Sequence, residues 1–438
     1  MASIQFTRAV EIRHEVDVFV AGGGPAGIAA AVTAARQGRR VFVVDAQNCF
    51  GGIGTAGLLQ IFMTFTDGEN FLAGGIGREI FDRLGQAKGF GDFWREGDWH
   101  DVLCKGEVLK RVYDDLLAGS GAAFSLCTQC IGIQARKDRI ETAVCWGKSG
   151  LFAVKAKMYV DGTGDGDLCA WAGAPYEKGN AEGHMQPGTL CSLWADIDWA
   201  AAYAAGHGPW QQDGPLQQAF RDSVFTVPDP HLPGMVPVGK HTGMGNVGHA
   251  FGVDGTDERS ITQALLEQRK RILEYERYYK EYLKGYENME LTATAAMMGI
   301  RETRRVTGDY VLNVADYRNR AVFDDEIGRY SFKLDLHPAQ PGPLGDLQEY
   351  KKGDSYGIPY RCLTPKGLSN VLVAGRCISA DRPMQGSTRV MPGCFITGQA
   401  AGMAAAMAAE TSRTTREISV HELQTRLRKM GAFLPNLR

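Results

Sequence analysis

The segment Val16-Asp17-Val18-Phe19-Val20-Ala21-Gly22-Gly23-Gly24-Pro25-Ala26-Gly27 leaves this chain few ways to fold. Asp17–Ala21 is short, β-branched and aromatic, the pattern of a buried parallel strand. Gly22, Gly24 and Gly27 complete G-x-G-x-x-G directly after it. In that setting Gly22 permits the tight turn, Gly24 lets the backbone approach a pyrophosphate, and Gly27 lets the next helix pack close to the sheet. The alanine-rich run Pro25–Gln37 predicts that helix, with Gly38 placed to stop it. Its first turn, Pro25 and Ala26, turns amides and the positive end of the dipole toward the phosphates. Val41–Val44 predicts a second strand. Asp45, with Ala46 beside it, follows about twenty residues after the glycines, where a carboxylate can accept hydrogen bonds from a ribose diol. The unit predicts a dinucleotide site on a parallel α/β sheet.

Context is what makes these glycines informative. Gly243-Met244-Gly245-Asn246-Val247-Gly248 has the same spacing without a strand before it or a helix after it, so it is expected to be a loop. With 438 residues there is room for two or three domains, and 44% hydrophobic with 22% charged residues is ordinary for a globular protein. A net charge of −2 gives no ground for a nucleic-acid surface, and no apolar run is long enough to predict a membrane partner. Met1–Glu15 lacks a signal-peptide core, and ten scattered cysteines fit a reducing compartment, so the expected location is cytoplasmic. Cys127-Thr128-Gln129-Cys130 fits C-x-x-C but falls in the strand-like run Ala122–Ile133, away from the helix N-terminus that a redox pair uses. No metal-ligand spacing stands out, and a homo-oligomer stays open.

Residues 1–172 read as the first part of the nucleotide domain. They include a helix at Gly106–Leu117 and strands near Ala122–Gln134, Glu141–Trp146 and Val154–Tyr159, the last running into Asp161-Gly162-Thr163-Gly164-Asp165-Gly166-Asp167. The α/β rhythm is lost after Gly173, so 173–290 is expected to be a substrate domain. Within it Ser260–Lys284 predicts an amphipathic helix with Ile261, Leu265, Ile272, Tyr279 and Leu283 on one side. Thr292–Arg305 also predicts a helix, which makes 291–310 a helix in contact with the nucleotide domain. Residues 311–356 are expected to be a second part of the substrate domain, and 357–438 to return to the nucleotide domain.

In that return, Val371–Ala374 predicts a buried strand that delivers Gly375-Arg376 at its C-terminal end, where ligands sit in open α/β sheets. Gln385–Gly393 follows, then a small-residue helix over Ile396–Ala409 with Pro392 suited to the first turn. These motifs resemble the FAD-dependent oxidoreductases related to fumarate reductase and the glutathione-reductase-type flavoproteins. The resemblance covers most of the chain, through Gly51-Gly52, Ala73–Ile80, Asp161–Asp167, Gly252–Asp257, Gly299–Arg305 and Val373–Gly402. It implies FAD, with covalent attachment open, and an α/β fold. In that fold a Rossmann-like FAD-binding domain, discontinuous in sequence, carries an inserted α+β substrate domain. By the same resemblance Gly22, Gly24 and Gly27 line the pyrophosphate and Asp45 the adenosine ribose. Gly51, Gly52 and Thr55 lie along the flavin. Cys130 or Ile131 meets the adenine through the backbone, and Thr163 and Gly164 close over the nucleotide. Gly375, Arg376, Met391 and Pro392 surround the ribityl chain and pyrimidine edge. Many such proteins carry Glu where this one has Asp45.

Flavin chemistry asks the protein to position a small organic substrate and to move one proton. Arg301, Glu302, Arg304 and Arg305 are the densest charge cluster in an otherwise apolar stretch. On a helix Arg301 and Arg305 would share a face and could clamp a carboxylate; a structural ion-pair network or a contact to FAD phosphate is the alternative. Arg389 is expected near the flavin. His184, His241, His249, Tyr356 and Tyr360 are candidate proton carriers, and His241 and His249 are favoured because they flank a glycine-rich loop. The expected function is an FAD-dependent dehydrogenase or oxidase acting on a small molecule. A flavin monooxygenase or NAD(P)H-dependent reductase is the alternative, and an FAD protein with a non-redox or tRNA-modifying role is the alternative of another class.

Overall fold

The computed structural model describes Ile4 and residues 7–209, 213–230, 234–342 and 349–437. Its main sheet has seven strands. Ala123–Ser125, Val41–Val44, Ile12–Ala21 and Gly150–Asp161 lie side by side in parallel. Gly150–Asp161 is long enough to take two further neighbours. Its first half pairs antiparallel with Arg139–Gly147, which pairs in turn with Gln129–Arg136, while Tyr159–Asp161 pairs in parallel with Val371–Val373. Ala21, Val44, Asp161 and Val373 therefore end at one edge of the sheet. Segments far apart in sequence deliver their glycine turns there.

The helix Pro25–Arg36 covers this sheet and packs closely on Met391–Thr411, with Gly398 on Ala26 and Gly402 on Ala30. A Cβ on Gly398 or Gly402 would come within 2.2 Å of the carbonyl oxygens of Ala26 and Ala30, so the two backbones touch where side chains would normally separate them. Met391 through Ala409 are all buried. That burial accounts for the apolar sequence of this helix, and among the described residues no single helix is long and apolar enough to cross a membrane.

A second core forms around the antiparallel sheet of Met235–Pro237, Gly243–Gly245, Ser192–Ala195 and Glu290–Thr294, covered by the helix Glu258–Tyr282. Ile272 and Tyr279 of the expected apolar face are buried, and Tyr275 and Tyr278 join them.

Three expectations are corrected here. Gly243–Gly248 begins with a strand and is not simply a loop, because Gly243–Gly245 is paired on both sides. Thr292–Arg305 is not a helix. Glu290–Thr294 is a strand on Ser192–Ala195, Gly299 crosses close over Thr189, and Arg304–Val306 pairs with Tyr176–Lys178. Neighbouring strands with open edges outweighed an Ala- and Met-rich run that had no caps. The stretch 311–356 does not extend the second domain, since Leu312, Tyr317, Ile327, Tyr330 and Tyr356 are buried in the first core.

Candidate active site

At the shared edge of the main sheet the cradle is made of backbone. Gly22 has φ +91°, and a Cβ there would meet the Gly162 carbonyl oxygen at 2.4 Å. Gly27 is held tighter still, with the Gly22 carbonyl oxygen 1.8 Å from where a Cβ would stand. Gly24, the N-cap residue of Pro25–Arg36, has nothing within 4 Å of that position. The helix thus opens on free space with Pro25 in its first turn and no side-chain cap on its amides. Met391–Thr411 likewise starts with Pro392 in its first turn and no side-chain cap. Ala26 packs against Gly375 (φ +83°), Gly52 approaches Gly24, and Met391 Sδ lies against Gly54.

Asp45 accepts hydrogen bonds from Gly23 N and Gln47 N at 2.7 Å each, with Ala46 exposed beside it. Burial raises its carboxyl above the usual range, and the two amides oppose that shift. Gly51 N donates to Gly23 O, and Thr55 is buried with its hydroxyl on Phe50 O. Thr163 donates to Asp161 Oδ1 at 2.7 Å. Arg376 is spent on protein: it donates to Gly164 O, Ile300 O and Asp165 Oδ1, clasping three segments together. From the neighbouring strand and its continuation, Ser125, Cys127 and Thr128 hydrogen-bond to the Asp45 turn, whereas Cys130 and Ile131 run on into the antiparallel ladder with Ile131 exposed. The glycine turns, the open helix start and the acid are groups that suit a dinucleotide.

Beside the Gly51–Thr55 turn lies a cavity of about 470 Å³ where the two cores meet. Ile53, Leu59, Ile61, Met63, Val236, Met244 and Phe332 give it apolar walls. Arg301, Arg389, Asp335, His337, Thr189, Asn246 and Cys191 are among its polar groups, and His100, Asp101, Lys333, Glu349, Lys351 and Asp354 line it as well. Arg301 is 9% exposed and donates through Nη1 to Pro187 O and Thr189 Oγ1, each at 2.8 Å. Its Nε and Nη2 have no partner among the described residues. Burial, then the charge of Arg389, brings the Arg301 guanidinium down to about 10. Arg389 donates to Asp335 Oδ2 at 2.7 Å. Burial disfavours charge on Asp335, but the hydrogen bond with His337 and the cations Arg389 and Arg301 hold its carboxyl well below the usual range. Burial and the charge of Arg301 keep His337 neutral. Cys191 is no nucleophile, since burial pushes its thiol up to about 12.

The charged cluster of the sequence divides. Arg301 alone enters the cavity. Arg305 and Arg382 pair with the fully buried Glu302 at 2.5 and 2.9 Å, and Arg304 pairs with Asp167. The clamp of Arg301 with Arg305 is therefore corrected to Arg301 facing Arg389, and the rest is a structural network. His241 is exposed, with its ring near Ile197 O, and does not reach the cavity. His184 is exposed; Tyr356 and Tyr360 are buried on Ser387 and Thr415. His249 is buried behind the cavity, against His337. Asp335, His337 and Asp229 were missed, because a lone D-x-H in an irregular stretch carries no local signal.

The family described as FAD dependent oxidoreductase matches residues 17–427. The chain belongs to that family. It is therefore an enzyme, an oxidoreductase, with FAD as its cofactor. No curated protein matches it. Among solved structures it is similar to a geranylgeranyl bacteriochlorophyll reductase-like protein from Thermoplasma acidophilum, at 12% identity, over 95% of this chain and 83% of that one, with a TM-score of 0.50. It is similar to an L-proline dehydrogenase from P. horikoshii at 11% identity, over 95% and 99% of the two chains, TM-score 0.45. A p-nitrophenol 4-monooxygenase from Pseudomonas putida DLL-E4 matches at 13%, over 91% and 79%, TM-score 0.42. The first is a likeness of fold.

Proposed function

We propose that this flavoenzyme is a dehydrogenase or oxidase of small organic anions, and that it binds them through Arg301 and Arg389. The observation that carries the reading is Arg301, a buried guanidinium whose Nε and Nη2 have no partner among the described residues, in a cavity that it shares with Arg389. A buried charge with unused donors is costly unless a counter-charge meets it, so an anion is the ligand these donors favour. The hydride acceptor would be supplied by FAD when it is bound. The protein's part is orientation. Arg301 and Arg389 fix the anionic group, and the apolar side chains from Ile53 to Phe332 help to exclude water beside it.

Carboxylates should perturb the flavin spectrum of the purified holoenzyme on binding, and their uncharged amides should not. Arg301→Met should remove that perturbation and leave FAD content unchanged. Equal binding of acid and amide to the wild type would refute the anion clamp.

A further inference from the structure

We propose that Cys130 and Cys145 are a dithiol that closes to a cross-strand disulfide and braces the outer hairpin of the main sheet. The C-x-x-C spacing suggests Cys127 as the partner of Cys130, but the fold supplies another. Cys127 is exposed and lies before the strand Gln129–Arg136 begins. Cys130 stands directly opposite Cys145 in the antiparallel ladder with Arg139–Gly147. Residues opposite each other put their side chains on one face of the sheet, with Cα atoms about 4.5–5.5 Å apart. That separation lies inside the range of about 4.4–6.8 Å that a disulfide spans. The two strands therefore hold the sulfurs within reach without moving apart or together.

Both residues are thiols in this structure. Cys130 Sγ donates to Gly132 O at 3.7 Å. A hydrogen bond with the Cys130 side chain, and then burial, pushes the Cys145 thiol up. Cys145 thus keeps its proton on a sulfur already turned toward Cys130. Exposure divides the roles, since Cys145 is fully buried and Cys130 only partly so. An oxidant meets Cys130 first. Cys169 and Cys377 are also neighbours, but both are fully buried, which keeps an oxidant from either.

The oxidant is a small organic disulfide. Cys130 loses its proton and attacks one sulfur of that reagent; the reagent's S–S bond breaks, a mixed disulfide forms on Cys130, and one thiolate leaves. Cys145 then loses its proton and attacks the Cys130 sulfur, the mixed disulfide breaks, and the second thiolate leaves. Two protein thiols are oxidised, the reagent is reduced to two thiols, and these take up the two protons.

The bond falls where the sheet is least held. Gln129–Arg136 is an edge strand, paired among the described residues with Arg139–Gly147 alone, and none of its residues is buried. Such a strand opens locally at low cost. It also continues directly from Thr128, whose N–H donates to Asp45 O. A disulfide across the ladder closes the hairpin into a loop and suppresses that opening.

The test treats the holoenzyme with glutathione disulfide, blocks remaining thiols by alkylation and maps the peptides by mass. Cys130 should be found joined to Cys145, in Cys127→Ser as in the wild type, and a dithiol reductant should reverse the link. Amide hydrogen exchange across residues 131–144 should slow about tenfold in the oxidised wild type and stay unchanged in treated Cys130→Ser, whose substitution lies at a partly exposed site. A Cys127–Cys130 link, a glutathione that stays on Cys130, or a Cys145 that is alkylated after treatment would overturn the pair. A Cys130–Cys145 link that leaves exchange in the hairpin unchanged would overturn the brace.

Discussion

At the edge of the parallel sheet the chain offers backbone: Gly22 against Gly162, Gly52 against Gly24, and a helix whose first amides lack a side-chain cap. In the neighbouring cavity it offers buried charge: Arg301, Arg389, Asp335 and His337, drawn from three separate stretches of sequence. A backbone cradle depends on the absence of side chains, so it tolerates no Cβ in the wrong place and reads as a contiguous motif. A cavity of charges depends on particular side chains, and any one can be changed while the fold stays intact. The two regions should therefore fail differently.

The largest effect should come from Gly27→Val, whose Cβ would fall within 1.8 Å of the Gly22 carbonyl oxygen, and soluble folded protein should be lost. Gly24→Asp sharpens the contrast, because its Cβ meets no atom within 4 Å. This variant should keep the circular dichroism of the wild type yet carry no flavin, since its carboxylate occupies the phosphate position. Full flavin occupancy in Gly24→Asp would mean that the cradle has been misread.

Arg301→Met should leave both fold and flavin in place and cost about 2–5 kcal/mol in binding or turnover of an anionic substrate, read as the change in kcat/KM. Loss of FAD from that variant would erase the distinction between the regions. Gly402→Val tests the packing behind the cradle. Its Cβ meets the Ala30 carbonyl oxygen at 2.2 Å, and overpacking of this kind costs about 1–3 kcal/mol, to be seen as a lower Tm.

The smallest effect belongs to the surface pair of Arg36 and Glu79, 2.6 Å apart and partly exposed. Glu79→Gln should cost under about 1 kcal/mol. The hydrogen bond from Arg36, ahead of opposing burial, lowers the Glu79 carboxyl. The pair's contribution is thus present above the ordinary glutamate range and lost as pH falls through the folded value. A urea midpoint for Glu79→Gln that differs from wild type at pH 7 but not at pH 3 would bear this out.

The same contrast explains what could be read from sequence. The strand, turn and helix from Asp17 to Arg36 and the strand at Val371 were legible because local pattern and fold agree there, while the exposed start of the first strand, from Ile12, was not. The copy at Gly243 shows that spacing alone says little. Its glycines serve a tightly packed sheet, with Gly245 against Ser192 and Trp194 and Gly248 against Tyr275. Thr292–Arg305 was misread because pairing with distant strands decided its conformation, and with it the neighbours of Arg301. His337 could not be found, because its role depends on Arg389, His249 and Asp335 meeting across the fold.

The most direct test of the account is an anaerobic titration of the purified protein, following flavin absorbance, with matched pairs of organic acids and their amides and with NAD(P)H. The account predicts a bound flavin that one class of acid bleaches and its amide does not. A flavin bleached by NAD(P)H alone, or equally by acids and amides, would contradict it.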